Sequence, residues 1–225
     1  FAHEFLPQPG DLIWTPADWA WAGGLLNILL PSLSLGVPVV AARFERFDPD
    51  AVWRLIAGQG IRNAFIPPTA LKLLRGAGRA PDRASLRLRT VGSGGEMLGR
   101  DTYDWARSEL GITINEFYGQ TECNLVVGAC GAAGVTRPGA MGRPTPGHTV
   151  AVIDDQGNVL PPGETGQIAV KRPDPVMFLG YWGKPEATAE KFIGDWMTTG
   201  DQGMTDEDGY LFFVGRDDDL ITSAG

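Results

Sequence analysis

The sequence predicts an α/β fold, a mostly parallel sheet with flanking helices followed by a small antiparallel β subdomain. Three observations carry that prediction. Between residues 48 and 134, short apolar strand-like runs alternate with segments of helical period, the order that builds a parallel sheet with helices packed on it. Two of these runs end in polar glycine loops, at 92–96 and 119–122, and open parallel sheets gather ligands at the carboxyl ends of their strands. From about Val135 onward, β-like runs are separated by Gly- and Pro-rich turns instead. The expected division is 1–134, an α/β part carrying both glycine loops, and 135–225, a β-rich part.

In chain order, Trp19 to Ala42 is uncharged and long enough to span a bilayer. Its Asn27, Pro31, Ser32, Ser34 and Pro38, with a turn at Gly36-Val37-Pro38, favour a buried helix, a turn and a buried strand over a membrane span. Asp48 and Pro49 supply an N-cap and a first-turn proline for a helix over AVWRLIAGQG, closed by glycine. IRNAFIPP reads as a strand stopped by two prolines, and Thr69 as the cap of a helix over ALKLLRGAG. LRLRTVG is a strand leading into the loop Gly92-Ser93-Gly94-Gly95. A helix around DTYDWARSELG ends at Gly111, and the strand ITINEFYG enters the loop GQTEC. In the second part, HTVAVIDDQGNVLPPGETGQIAVKRPD reads as two strands, with turns at Gln156-Gly157-Asn158 and Pro161-Pro162-Gly163. GYLFFVGR adds another strand.

A hydrophobic content of 43% with 20% charged residues is that of a soluble globular chain, and 225 residues suffice to bury a core. The net charge of -8 argues against general nucleic-acid binding, which needs a basic field against phosphates. A nucleotide ligand would be met by Mg²⁺, a few Arg or Lys, and backbone N–H groups. Two cysteines, Cys123 and Cys130, make no disulfide framework and suit a reducing cytoplasm. The start, FAHEFLPQPGD, has neither a basic leader nor an apolar signal core.

Several common chemistries are missing. There is no G-x-x-x-x-G-K-[ST] phosphate loop, and Gly92-Ser93-Gly94-Gly95-Glu96 is no G-x-G-x-x-G fingerprint. A nucleophile elbow fails because Val91, not glycine, stands two residues before Ser93. His3, at an expected frayed start, and His148, an expected surface or turn histidine, are the two histidines; with two cysteines seven apart they make no zinc ligand set.

Four segments combine glycine turns with polar residues that a packed core would not select: 92–96, 116–122, Thr199-Gly200-Asp201 and 215–219. Singly, Thr-Gly-Asp is an ordinary turn and the Asp run a solvated bend. Together, YGQTE followed by GRP, GETGQIAV, GYW, TTGD, DGYLFFVGR and DD resemble the adenylate-forming superfamily over nearly the whole chain, with the closest likeness to acetyl- and medium-chain acyl-CoA synthetases. The resemblance implies an AMP-forming acid–thiol ligase using ATP, Mg²⁺ and CoA, in which a carboxylic acid attacks the α-phosphate of ATP. Such transfers depend on positioning and charge neutralisation.

By that resemblance Gly92 to Glu96 lie against adenine, with Gly94, Gly95 and Glu96 binding the cofactor, Tyr118 helps hold the base, and Glu116, Phe117, Gly119 and Gln120 are further cofactor-binding residues. Thr121 matches a phosphate-contacting hydroxyl, Glu122 the carboxylate that holds Mg²⁺, Asp201 the acceptor for the ribose hydroxyls, and Arg216 a base near ribose and phosphates. Thr121, Glu122 and Arg216 are the expected catalytic residues. Asp218 matches the hinge about which a C-terminal domain turns.

Gly119 stands where acetyl-CoA synthetases hold a pocket-closing tryptophan. With Gly94 it implies an open acyl pocket and a medium-chain or aromatic acid. The phosphate loop expected upstream and the C-terminal domain with its lysine are absent, so the chain is expected to be a fragment, inactive alone. Another adenylating enzyme, an aryl-CoA ligase or a carrier-protein-loading domain, and a non-catalytic binding remnant are the alternatives.

Overall fold

A computed structural model describes residues 3–78 and 81–217; the expected hinge residue Asp218 lies outside them. The chain divides into two compact units. One holds the chain up to Phe117 together with Ala129–Gly139, the other Tyr118–Gly128 and the chain from Ala140 onward. The texture change near residue 135 therefore falls inside a segment that packs with the first unit.

In the first unit, strands β1 (Ile13–Trp14), β2 (Val39–Val40), β3 (Asn63–Phe65), β4 (Thr90–Gly94) and β5 (Ile114–Gln120, whose last residues enter the second unit) pair in the order β2-β1-β3-β4-β5. Every pairing is parallel. Both faces of such a sheet are covered, so its strands are apolar throughout. Trp14, Ala64, Val91 and Ile114 sit in one core with Val52, Ile56, Leu71 and Leu74 from the helices Pro49–Gln59 and Pro68–Gly76.

The helix Pro49–Gln59 begins and ends as its sequence requires. The Asp48 carboxylate accepts from the N–H of Asp50 and Ala51, satisfying orphan donors of the first turn. Gly60 closes it at φ 65°, in the left-handed region. Thr69 is not the cap of the next helix: Pro67 holds that position, and the Thr69 hydroxyl and N–H both turn to Glu96 instead. The strand read as LRLRTVG starts at Thr90, and the glycine run belongs to it rather than to a loop. Residues 90–94 are all buried strand, and only Gly95 leaves the sheet, at φ 96°.

The uncharged stretch 19–42 forms a helix, a turn at Gly36 and strand β2. No helix among the described residues is long and apolar enough to cross a membrane. The helix is less buried than expected. Pro31 cannot donate a backbone bond, the segment Leu25–Leu29 widens to π geometry, and Leu26, Leu30 and Leu33 are about half exposed.

In the second unit, β6 (Asn124–Gly128) pairs antiparallel with β7 (Arg143–Pro144). A further antiparallel sheet joins β8 (Val150–Ile153), β9 (Thr165–Lys171), β10 (Phe192–Ile193), β11 (Trp196–Thr205) and β12 (Leu211–Arg216) in the order β10-β11-β9-β8, with β12 on β11. β8 and β9 are the expected pair, in the register Val152↔Ile168. Thr199-Gly200-Asp201 is not a turn. It lies inside β11, at a bulge where the register against β9 shifts between Thr198 and Gln202. Cys123, Val126, Ile168, Val170, Met197 and Leu211 form the core of this unit.

Candidate active site

The first unit presents the glycine run. A side chain at Gly94 would lie 2.5 Å from the Phe117 carbonyl and 2.6 Å from its ring, so glycine is what lets Phe117 close against β4. Phe117 then meets Phe65 with ring centroids 5.3 Å apart, and Phe65 meets Trp21 at 6.0 Å. Gly95 is exposed beside the half-exposed Trp21. The outcome is a largely buried aromatic row, Trp21–Phe65–Phe117, packed beside the glycine run at the carboxyl ends of β3 and β4.

The two carboxylates beside it are committed within the unit. Glu96 accepts from the Thr69 N–H at 2.8 Å and from the Thr69 hydroxyl, and those bonds hold it below the usual carboxylate range. It fastens the glycine turn to the start of a helix. Glu116 accepts from the Leu98 N–H at 3.3 Å, and burial pushes its carboxyl up to about 7.

The second unit gathers the other expected residues. The Tyr118 phenol donates to Asp201 Oδ2 at 2.6 Å, and burial followed by the Asp201 charge pushes that phenol far above its ordinary value. Gln120 Nε2 donates to the Thr199 carbonyl at 3.1 Å, tying the end of β5 to the bulge in β11. Thr199 donates its hydroxyl to the Ile168 carbonyl and accepts from the Asp201 N–H, while the Gly200 N–H reaches Gln167 Oε1. Gly200, at φ 80°, has the freedom this bulge needs. Asp201 faces Arg216 directly across the β11–β12 pair. Residues so opposed have Cβ atoms about 5 Å apart.

Thr121 and Glu122 sit in the turn between β5 and β6, Thr121 exposed. Glu122 is gripped twice from the loop before the helix Pro185–Glu190: the Phe178 N–H donates to its carbonyl at 2.7 Å, and the Tyr181 phenol to Oε1 at 2.6 Å. That bond holds the Tyr181 phenol up at about 12. Tyr181 belongs to the quoted GYW motif, yet its part could not be read from the sequence, because it reaches Glu122 across 59 residues.

Gly119 requires a correction. A Cβ there would lie 1.7 Å from the Asn124 carbonyl oxygen and 2.9 Å from Leu125 Cα. The space left by the missing side chain is filled by backbone at the start of β6, so this glycine answers a close approach rather than opening a pocket. His148 closes the expected turn, its N–H donating to the Thr145 carbonyl at 3.1 Å, whereas His3 is not at a frayed, open start. His3 is partly buried with its Nδ1 enclosed, and desolvation pushes its imidazole down to about 4, while His148 Nδ1 lies 2.6 Å from Asp174 Oδ2, with both side chains mostly enclosed. Cys123 and Cys130 are both buried and free.

The sequence did not indicate a cavity of about 660 Å³ in the first unit, lined by Thr15, Asp18, Trp19, Arg43, Phe44 and Phe47 at the ends of β1 and β2. Among the described residues no cluster of three or more His, Cys, Asp or Glu side chains could hold a metal unaided. Mg²⁺ carried with substrate phosphates needs only one or two protein carboxylates. The oxygen donors of Glu122 and its neighbour Thr121 fit that mode.

Residues 1–182 match the model of the family described as AMP-binding enzyme. The chain is 36% identical over 225 residues to the human mitochondrial acyl-coenzyme A synthetase ACSM2B, covering 97% of this chain and 38% of that protein. The crystal structure of ATP-bound MatB from Rhodopseudomonas palustris is 31% identical with a TM-score of 0.86, covering 95% of this chain and 41% of the other. A benzoate CoA ligase from Burkholderia xenovorans LB400 is 26% identical with a TM-score of 0.85, covering 95% and 43%. The chain thus spans about two fifths of the length of the relatives it matches.

Proposed function

The chain belongs to the AMP-binding enzyme family, and from that premise we propose that the full-length protein activates a carboxylic acid as its acyl-adenylate and transfers the acyl group to coenzyme A. The observation that carries this reading is the set around Asp201: Tyr118 bonded to it at 2.6 Å, Arg216 opposite it in register, and Gln120 tied to the same bulge. A fold needs no such concentration of polar side chains at a strand irregularity. A ribose with two hydroxyls and a phosphate chain does.

In this reading Gly94, Gly95, Glu116, Phe117 and Tyr118 frame the adenine, Glu96 holding the glycine turn in place through Thr69. Asp201 accepts the ribose hydroxyls, and each such charge-assisted bond contributes about 1.5–3 kcal/mol. Thr121 and Arg216 meet the phosphates. Glu122 would hold Mg²⁺, which would supply neutralisation of the phosphate charge. A carboxylate oxygen attacks the α-phosphorus and pyrophosphate departs; the CoA thiolate then attacks the acyl carbonyl and AMP departs.

The acid is read as medium-chain or aromatic. With the Gly119 argument withdrawn, support rests on a structural neighbour named a benzoate CoA ligase. The test is carboxylate-dependent ATP–pyrophosphate exchange by the full-length protein, with acids from acetate to decanoate and benzoate. Exchange peaking with a medium-chain or aromatic acid is expected. Exchange with no acid at all would sink the proposal, and a peak at acetate would sink the substrate class.

A further inference from the structure

The clasp on Glu122 has no part in the reading above. Residue 122 is held by both its backbone and its side chain from a single short strap, through Phe178 N–H and the Tyr181 phenol. The strap is itself anchored. The Phe178 ring packs on Tyr181 at 5.0 Å and stacks on Phe192 at 6.4 Å with an interplanar angle of 5°. Thr188 Oγ1 accepts from the Tyr181 N–H at 2.9 Å and donates to the Lys184 carbonyl at 3.0 Å. Between these anchors Leu179 and Trp182 are fully exposed, so apolar burial of those side chains does not explain the strap's course. What the strap secures is Glu122.

We propose that Tyr181 is a positioning residue for the Glu122 carboxylate. Glu122 stands in a turn, where a glutamate side chain would otherwise sample several rotamers. A carboxylate offers about four acceptor positions on two oxygens. One phenol bond at Oε1 therefore fixes the side chain while leaving Oε2 to take a cation. Partners of this kind set the orientation of metal-ligating groups, and their loss weakens metal binding about tenfold or more. The inference rests on Glu122 being the Mg²⁺ ligand.

The test uses Mn²⁺ as a spectroscopic stand-in for Mg²⁺. Its binding to the full-length protein saturated with ATP is followed by electron paramagnetic resonance for wild type, Tyr181→Phe, Glu122→Gln and the double variant. Tyr181→Phe is expected to weaken Mn²⁺ binding about tenfold, with ATP affinity in EDTA and the melting temperature held near wild type. Adding Tyr181→Phe to Glu122→Gln is expected to cost nothing further, because the phenol acts through that carboxylate. If Glu122→Gln weakens Mn²⁺ and Tyr181→Phe does not, the positioning role is wrong and the metal assignment stands. If Glu122→Gln leaves Mn²⁺ binding unchanged, the metal assignment is wrong and this inference goes with it. A Tyr181→Phe variant that loses melting temperature and EDTA-state ATP affinity in step with Mn²⁺ would show a merely structural tyrosine, and overturn the proposal.

Discussion

Tyr118 and Asp201, 83 residues apart, share a 2.6 Å hydrogen bond in which the phenol donates to the carboxylate. The bond takes one lone pair of Asp201 and fixes the direction of the rest, which suits the ribose contact proposed for this carboxylate. Tyr118→Phe removes the donor while keeping the ring. We expect ATP binding to weaken about tenfold to a hundredfold, the value of one hydrogen bond to a charged group. Calorimetric titration of ATP into the full-length protein measures it; an unchanged affinity would separate Asp201 from the nucleotide.

Glu116 gives a pH dependence of known sign. Its carboxyl is raised from 4.5 to about 7 by burial. A raised carboxyl favours the folded state below pH 4.5 and loses that contribution as pH climbs toward 7. Wild type should therefore lose stability through this group between about pH 4.5 and 7, by up to about 3 kcal/mol. Glu116→Gln, which still accepts from Leu98, should not. Melting curves at pH 4.5, 6 and 7.5 test this. The gap between the two proteins must open in the variant's favour as pH rises.

Gly119→Ala places a carbon where the Asn124 carbonyl stands. A contact that short forces the start of β6 away from β5, and overpacking of this kind costs about 1–3 kcal/mol. The expected result is a lower melting temperature and equal loss of exchange with every acid. Loss confined to the longest acids would restore the pocket reading of this position.

Asp11 is buried, accepting from Arg89 at 2.8 Å and from Arg62 at 3.4 Å. Asp11→Asn leaves both guanidinium groups without their charge partner, at a cost of about 3–5 kcal/mol. Chemical denaturation should show that loss, whereas ATP affinity of the folded protein should stay within twofold.

The sequence was most informative where a residue acts locally. Asp48, Pro49 and Gly60 mark their helix because caps and first-turn prolines work within a few residues. The alternation of strands and helices was legible for the same reason. Contacts between distant segments were not. Thr69 looked like a cap because its partner Glu96 lies 27 residues away. Thr199-Gly200-Asp201 looked like a turn because a bulge is defined by the partner strand, here β9. Gly119 looked like a vacancy because the backbone that fills it belongs to another strand. The free, buried cysteines speak to redox state and do not choose a compartment, and one relative is named mitochondrial. The polar residues expected in the nucleotide set gained their meaning from the motif series as a whole, and their pairing, Tyr118 with Asp201 and Asp201 with Arg216, only from the fold.

Trp182 lies wholly in solvent, one residue from Tyr181, while Trp14 and Trp53 are buried and Trp21 only half exposed. A water-soluble collisional quencher such as iodide or acrylamide will therefore extinguish Trp182 emission ahead of the enclosed indoles. Movement of the segment gripping Glu122 becomes visible as a change in quenching, in unlabelled protein and in real time. The molecule carries its own lamp one residue from the phenol that grips Glu122.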